Sequence, residues 1–151
     1  MEPRKIITSR KTQIDDRKRV LVVDDNPILL RTAKEMLDEQ YQVSIAVSAE
    51  QAFNSIARNL PEVILLDYEM PFTNGIVVLN QLRSNIHTKY IPVIFFTGSA
   101  DREIVEKLVG LRPDGYLLKP PNKKKMLGII ERTLYPELFE LGEGEDDTTE
   151  V

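Results

Sequence analysis

The stretch Pro61-Glu62-Val63-Ile64-Leu65-Leu66-Asp67-Tyr68-Glu69-Met70-Pro71 decides the fold of this chain. Its four consecutive apolar residues, Val63 to Leu66, predict a strand buried on both faces, because a strand with one wet face would alternate apolar and polar residues. The strand ends in a carboxylate, Asp67. Ligands of open parallel α/β sheets bind outside the carboxyl ends of the strands, so chemistry is expected there. A turn cap before Met70 is the simpler alternative for this acid.

Four further segments have the composition of strands, and helical segments alternate with all five. The other strands are predicted at residues 19–24, 42–46, 91–97 and 114–119. The helices are predicted at residues 27–38, 49–58, 76–84, 101–109 and 123–134. This alternation predicts an α/β domain with a parallel sheet, helices on both faces and right-handed crossovers.

The caps and buried faces of two helices can also be predicted. Asn26 is expected to cap the first helix, with Pro27 at a position whose amide needs no partner. Ile28 is assigned to the apolar stripe of that helix. Before the third helix, Asn74 and Gly75 are expected to form a turn. The buried face of the third helix is assigned to Ile76, Val77, Leu79 and Leu82.

Charge divides the 151 residues into three parts. Residues 1–19 hold seven basic and three acidic side chains, whereas residues 136–151 hold seven acids and no base. Residues 1–18 are therefore predicted to be a basic arm, 19–135 a folded domain, and 136–151 an acidic tail or linker. The apolar residues within 137–141 are also compatible with a continuation of the last helix. The basic charges of the arm lack interleaved aromatics, so no nucleic-acid binding is expected.

The chain contains no cysteine, which excludes disulfides and thiolate metal sites and fits a reducing compartment. No apolar run approaches the ~20 residues of a membrane helix, and residues 1–19 lack the apolar core of a secretory signal. A cytoplasmic protein without membrane contact is the expectation.

Polar residues stand at the ends of four predicted strands: Asp24 with Asp25, Asp67, Thr97 and Lys119. Parallel strands bring their carboxyl ends to one edge, where three carboxylates repel one another unless a cation joins them. Oxygen ligands favour a hard ion such as Mg²⁺. An ammonium suits a phosphoryl group. The set predicts phosphoryl transfer, with an ionised aspartate as the nucleophile.

Four motifs carry a resemblance to a known family. They are Val22-Val23-Asp24-Asp25-Asn26-Pro27, Leu65-Leu66-Asp67-Tyr68-Glu69-Met70-Pro71, Phe96-Thr97-Gly98 and Gly115-Tyr116-Leu117-Leu118-Lys119-Pro120. Together, over about residues 19–135, they resemble the receiver domain of two-component response regulators. The resemblance implies a flavodoxin-like, doubly wound sheet of order 2-1-3-4-5 in an α/β/α sandwich with five helices.

The resemblance also implies roles for residues. Asp67 is the phosphoacceptor, and Mg²⁺ is bound by Asp24, Asp25, Asp67 and the backbone carbonyl of Glu69. Thr97 and Lys119 contact the phosphoryl group, and the Lys119–Pro120 bond is cis. Thr97 and Tyr116 form the switch.

The partners implied by the resemblance are a sensor histidine kinase or a histidine phosphotransfer protein, and a downstream protein or fused output domain. Output, and homodimerisation where it occurs, are expected on the face of the fourth helix, fifth strand and fifth helix. The chain is expected to be a switch and not an enzyme.

Three rival functions remain open. A phosphohydrolase of the haloacid dehalogenase type also phosphorylates an aspartate, but it has Asp-x-Asp after the first strand, where this chain has Asp24-Asp25-Asn26-Pro27. A pseudo-receiver would keep the fold and lose the chemistry, and the complete acid set argues against it. A nucleotide-binding module is weaker, since no glycine-rich cradle is present.

Overall fold

The computed structural model describes residues 14–98 and 102–140. Most of the predicted basic arm, Asp101 and residues 141–151 of the predicted tail lie outside these ranges. The strands are β1 (Arg19–Val23), β2 (Gln42–Ala46), β3 (Val63–Asp67), β4 (Glu69–Met70), β5 (Thr73–Asn74), β6 (Val93–Thr97) and β7 (Gly115–Leu118). The helices are α1 (Pro27–Leu37), α2 (Ala49–Arg58), α3 (Gly75–Arg83), α4 (Arg102–Gly110), α5 (Lys123–Leu134) and α6 (Glu137–Glu140). No helix within the described ranges has the length and apolar character needed to cross a bilayer.

Five strands form a parallel sheet in the order β2-β1-β3-β6-β7. This confirms the doubly wound α/β fold and the order 2-1-3-4-5. All five residues of the central strand β3 are buried, as its apolar run predicts. The edge strand β2 is largely half-buried or exposed. Because every strand runs the same way, the ends of β1, β3, β6 and β7 meet along one edge.

Two apolar cores lie on opposite faces of the sheet. On one face the sheet packs against Leu30, Ala33 and Leu37 of α1 and Met126, Ile129 and Ile130 of α5. On the other face it packs against Ala52 and Ile56 of α2 and Val78, Leu79 and Leu82 of α3, with Ile104 of α4 beside them. The molecule is therefore a three-layer sandwich. The short helix α6 lies in the segment predicted as tail, separated from α5 by Tyr135 and Pro136.

The predicted cap of α1 is confirmed, but one assignment to its buried stripe is wrong. The Asn26 side chain accepts hydrogen bonds from the amides of Ile28 and Leu29. Ile28, however, is 71% exposed. It lies in the first turn, at the edge of the sheet, where none of the described elements covers it, whereas Leu30 further along the helix is fully buried.

The predicted start and buried face of α3 also need correction. Asn74 does not form a turn with Gly75, because its side chain caps the helix by accepting from the amides of Ile76 and Val77. The helix therefore begins at Gly75. Its buried positions are Gly75, Val78, Leu79 and Leu82, a spacing of i, i+3, i+4 and i+7. Val77 is 45% exposed; the prediction failed because it did not count a glycine as a buried position.

A small hairpin that the sequence pattern did not predict links β3 to α3. Strands β4 and β5 pair antiparallel, with Met70 opposite Thr73, so Pro71 and Phe72 form its two-residue tip. Phe72 has a φ of 67° and a fully exposed ring.

Gly75 is where α3 touches the central strand. A Cβ built there would lie 2.7 Å from the backbone oxygen of Asp67 and 2.9 Å from Cε1 of Phe95. Both distances are below van der Waals contact, so only glycine allows the first turn of α3 to pack this closely. The amide of Gly75 also donates to the carbonyl of Tyr68 at 2.7 Å.

Gly75→Ala is expected to lower the free energy of unfolding by about 1–3 kcal/mol, because the added methyl forces backbone atoms apart. Gly128→Ala, in the interior of α5, is the matched control. A Cβ at Gly128 meets only a flexible guanidinium atom of Arg132 at 3.7 Å, so this change should stabilise the protein by about 0.5–1 kcal/mol. Urea denaturation measures both, and equal effects at the two positions would contradict the close contact at Gly75.

Candidate functional site

A cavity of about 510 Å³ opens at the carboxyl edge of the sheet. It gathers most of the predicted site residues from loops that are distant in sequence. Its lining is Asp24, Asp25, Asn26, Asp67, Glu69, Met70, Pro71, Gly98 and Lys119. Thr97 immediately precedes the lining residue Gly98 and is buried at the end of β6.

Three carboxylates meet in this cavity. Asp24 and Asp67 are 1% and 3% exposed, whereas Asp25 is exposed. One oxygen from each of the three lies within 4.8 Å of the others. Local backbone amides hold the two buried acids, since the amide of Asn26 donates to Oδ1 of Asp24 at 2.9 Å and that of Glu69 donates to Oδ1 of Asp67 at 3.3 Å.

The ammonium of Lys119 lies between the two buried acids. Its Nζ is 2.5 Å from Oδ2 of Asp24 and 3.3 Å from Oδ1 of Asp67. The same Nζ lies 5.5 Å from the centroid of the Phe96 ring. The Lys119 amide donates to the carbonyl of Thr97 at 2.8 Å, and the Lys119–Pro120 peptide bond is cis, as the resemblance implied.

The environment shifts the protonation of the Asp67 carboxyl and the Lys119 amine. Burial and the nearby charge of Asp24 raise the pKa of Asp67 from 3.8 to about 6, although Lys119 and the amide of Glu69 oppose the shift. Burial alone would lower the pKa of Lys119. The hydrogen bond to Asp24 and the charge of Asp67 outweigh burial and raise it. The amine is therefore firmly cationic, while the acid is held ionised at a cost.

The donor set fits a divalent metal ion. Three carboxylates facing one ammonium leave an excess of two negative charges when all are ionised. Oδ2 of Asp24 is buried and, apart from its ion pair with Lys119, has no hydrogen-bond donor among the described residues. Oxygen donors alone favour a hard cation. The cluster of Asp24, Asp25 and Asp67 could therefore bind such an ion.

Tyr116 lies further from the cavity than the other predicted site residues. It sits in β7 opposite Phe95, is half-buried, and packs at the margin of the core on the α2–α3 face. Thr97 is opposite Leu118 in the same strand pair, so Tyr116 and Thr97 are two positions apart in register.

Sequence reasoning missed two contributions to the site. Asn26 was assigned only as a cap, but it also lines the cavity and orients Asp24 through its amide. Met70 and Pro71 form another part of the wall. The Pro that follows Met70 hinted at a turn, but nothing in the pattern indicated that this turn borders the cavity.

Comparison with known proteins identifies the family. The family described as "Response regulator receiver domain" matches residues 20–131. The response regulator PleD of Caulobacter vibrioides is 40% identical over 88 residues, which are 56% of this chain and 19% of that protein. The transcriptional regulatory protein CpxR of Klebsiella pneumoniae is 33% identical over 140 residues, which are 88% of this chain and 58% of that protein. The chain thus spans a fifth to three fifths of these two relatives.

Solved structures agree with this assignment. The chemotaxis protein CheY4 of Vibrio cholerae superposes with a TM-score of 0.72 at 25% identity, covering 78% of this chain and 99% of that one. The chain therefore belongs to the response regulator receiver domain family, the phosphoacceptor switches of two-component signalling.

Proposed function

We propose that Asp67 is the phosphoacceptor of this receiver domain. The observation that carries the proposal is the convergence of Asp67, two further acids and the Lys119 ammonium in one cavity. A carboxylate oxygen of Asp67 attacks the phosphorus of a phosphohistidine, the P–N bond breaks, and the released imidazole takes up a proton. An aspartyl phosphate and a neutral histidine result.

The side chains around Asp67 have distinct parts in this step. The Lys119 ammonium, already within 3.3 Å of Asp67, moves to an oxygen of the incoming phosphoryl group and offsets its charge. Asp24 and Asp25 would hold Mg²⁺ together with Asp67 and the backbone carbonyl of Glu69. When bound, this ion supplies charge neutralisation on the phosphoryl oxygens.

We further propose that Thr97 and Tyr116 transmit the phosphorylated state. The Thr97 hydroxyl moves toward the phosphoryl group, and the half-buried Tyr116 turns inward into the space this leaves. The output face is then that of α4, β7 and α5. Exposed apolar side chains on it, Val109 at 51% and Leu118 at 45%, support a contact with a downstream protein, an output domain or a second copy.

Receiver domains interact with histidine kinases, and the proposed donor here is a sensor histidine kinase or a histidine phosphotransfer protein. The absence of cysteine suits a reducing compartment, which is the ground for proposing a cytoplasmic location. No contact with nucleic acid or membrane is proposed.

Two rival functions are disfavoured by particular observations: the pseudo-receiver, which would share the fold, and the dehalogenase-type phosphohydrolase, which also phosphorylates an aspartate. A pseudo-receiver has no need for two buried acids beside a lysine, an arrangement that costs stability. For a dehalogenase-type phosphohydrolase, the residue after Asp25 would be an acid, but Asn26 occupies that position as a helix cap. Turnover of p-nitrophenyl phosphate would favour the hydrolase.

The phosphoacceptor assignment is tested with acetyl phosphate and Mg²⁺. The wild-type protein is expected to gain one phosphoryl group in intact mass spectrometry. Asp67→Asn is expected to gain none, because the side-chain amide that replaces the carboxylate is not nucleophilic. Asp38→Asn, an exposed acid at the end of α1, serves as the control and should behave like the wild type. A phosphoryl adduct that persists in Asp67→Asn would refute the assignment.

The metal site is tested by thermal unfolding with and without Mg²⁺. Mg²⁺ is expected to raise the Tm of the wild-type protein, because it binds the folded state only. Asp25→Asn should weaken Mg²⁺ affinity roughly tenfold or more, and Asp25 is exposed, so the variant should fold. Glu35→Gln, an exposed acid in the last turn of α1, is the matched control. An equal rise in Tm on adding Mg²⁺ in the two variants would exclude Asp25 as a ligand.

The raised pKa of Asp67 predicts a pH-dependent stability difference without metal. The folded state holds the Asp67 proton more tightly than the unfolded state, so stability is lost as pH rises from about 4 through about 6. Asp67→Asn lacks this loss. At pH 7 the free energy of unfolding of this variant should therefore exceed that of the wild type by up to about 3 kcal/mol. The difference should shrink toward pH 4; urea denaturation in EDTA measures it. A difference independent of pH would show that Asp67 titrates normally.

A further inference from the structure

A second large cavity lies along α5 and shares no lining residue with the acidic cavity. Its volume is about 660 Å³, and seven of its ten lining residues belong to α5. The charged lining residues are three bases, Lys124, Lys125 and Arg132, and one acid, Glu131. The lining therefore carries a net charge of +2, opposite in sign to the cavity around Asp67. We call this cavity the α5 groove.

The middle of the α5 groove is open because of a glycine. Lys124, Gly128 and Arg132 are spaced i, i+4 and i+8, so they share one stripe of the helix. Glycine leaves the helix backbone uncovered between the two cations, and a guanidinium nitrogen of Arg132 lies 3.7 Å from where a Cβ of Gly128 would be. A glycine inside a helix costs about 0.5–1 kcal/mol relative to alanine. Gly128 is not one of the buried residues of α5, so packing on the sheet does not explain that cost.

The bases of the α5 groove have no anionic partner in the described part of the chain. None of Lys124, Lys125 and Arg132 forms an ion pair there. In the cavity beside β2, by contrast, Lys34 is paired with Asp38 at 2.9 Å. The first turn of α5 holds three lysines and no acid, although the helix dipole disfavours cations at that end. This uncompensated positive charge indicates an anionic occupant.

We propose that the acidic segment 141–151 of this same chain docks in the α5 groove as an intramolecular ligand. The segment contains five acids and no base, so its charge complements the groove. Its carboxylates pair with Lys124, Lys125 and Arg132, and its backbone crosses the open stretch at Gly128. Because α5 belongs to the proposed output face, the docked segment covers part of that face against other anionic partners. The inference does not depend on the chemistry of Asp67.

The segment is tethered within reach of the groove. It follows α6, and only Tyr135 and Pro136 separate α6 from α5. Eleven extended residues span up to about 36 Å, which is twice the ~18 Å length of a helix of 12 residues such as α5. A short tether gives the segment an effective concentration on the order of millimolar at the groove. This favours it over a free anionic partner of equal charge.

Paramagnetic relaxation enhancement tests the docking. The chain contains no cysteine, so Thr149→Cys can carry a nitroxide at that position alone. In ¹⁵N-labelled protein the amide resonance of Gly128 is expected to broaden, because a docked segment holds the label near α5. Combining Lys124→Gln with Arg132→Gln removes two of the proposed ion pairs and should reduce the enhancement at Gly128 roughly fivefold.

Arg58→Gln combined with Lys89→Gln is the matched control. It also removes one lysine and one arginine charge from exposed side chains, but neither residue lines the α5 groove. This control should leave the enhancement at Gly128 unchanged. The reciprocal variant, Asp146→Asn combined with Asp147→Asn, leaves the described domain untouched and should reduce the enhancement as the groove variant does.

Equal enhancement at Gly128 in the groove variant, the reciprocal variant and the control would overturn the proposal. Enhancement confined to amides outside α5 would overturn it as well, because the segment would then dock elsewhere. A mixed sample, in which only the copies without nitroxide carry ¹⁵N, reports contacts between copies. Broadening of Gly128 in that sample, equal to that in the singly labelled chain, would show that a second copy supplies the segment and would overturn intramolecular docking.

Discussion

The structure depends on one ammonium that makes two buried carboxylates tolerable. Asp24 and Asp67 are almost inaccessible to water, and burial beside a like charge raises the pKa of Asp67 to about 6. Removing either acid's counter-charge would leave an unpaired charge in the interior, which is among the costliest defects in a fold. Lys119 lies within ion-pair distance of both acids and offsets much of that cost.

The need for a counter-charge beside the two buried acids explains why the site is built on a parallel sheet. Neighbouring strands β1 and β3 bring Asp24 and Asp67 together, but Lys119 follows β7, which is separated from β3 by β6. The lysine must therefore reach across the end of β6. It does so over the ring of Phe96, and its amide is anchored on the carbonyl of Thr97. The four-carbon stem of lysine gives this reach.

Much of this arrangement could be predicted from local sequence. The apolar run before Asp67 signals a two-sided strand, and the alternation of strands with helices signals a parallel sheet, so acids at strand ends must share an edge. The order of the strands was not in the pattern and came from family resemblance. The buried face of α3 was missed because it starts at Gly75, whose burial comes from its contact with the backbone of Asp67 and cannot be read from side-chain hydrophobicity. The β4–β5 hairpin was not predicted because its strands have only two residues each. Its tip residue Phe72 also has a positive φ, a backbone conformation for which Gly or Asn would have been the signal.

The raised pKa of Asp67 links its reactivity to the charge around it. A carboxyl with a pKa near 6 is still mostly ionised at neutral pH, but its protonated fraction is far larger than for an ordinary aspartate. Any cation held by the three acids would stabilise the ionised form, so cation binding and ionisation of Asp67 favour each other. Lys119 permanently offsets one of the three negative charges. The two that remain favour the binding of a further cation. The same negative excess that raises the pKa of Asp67 is therefore what would attract a cation to the three acids.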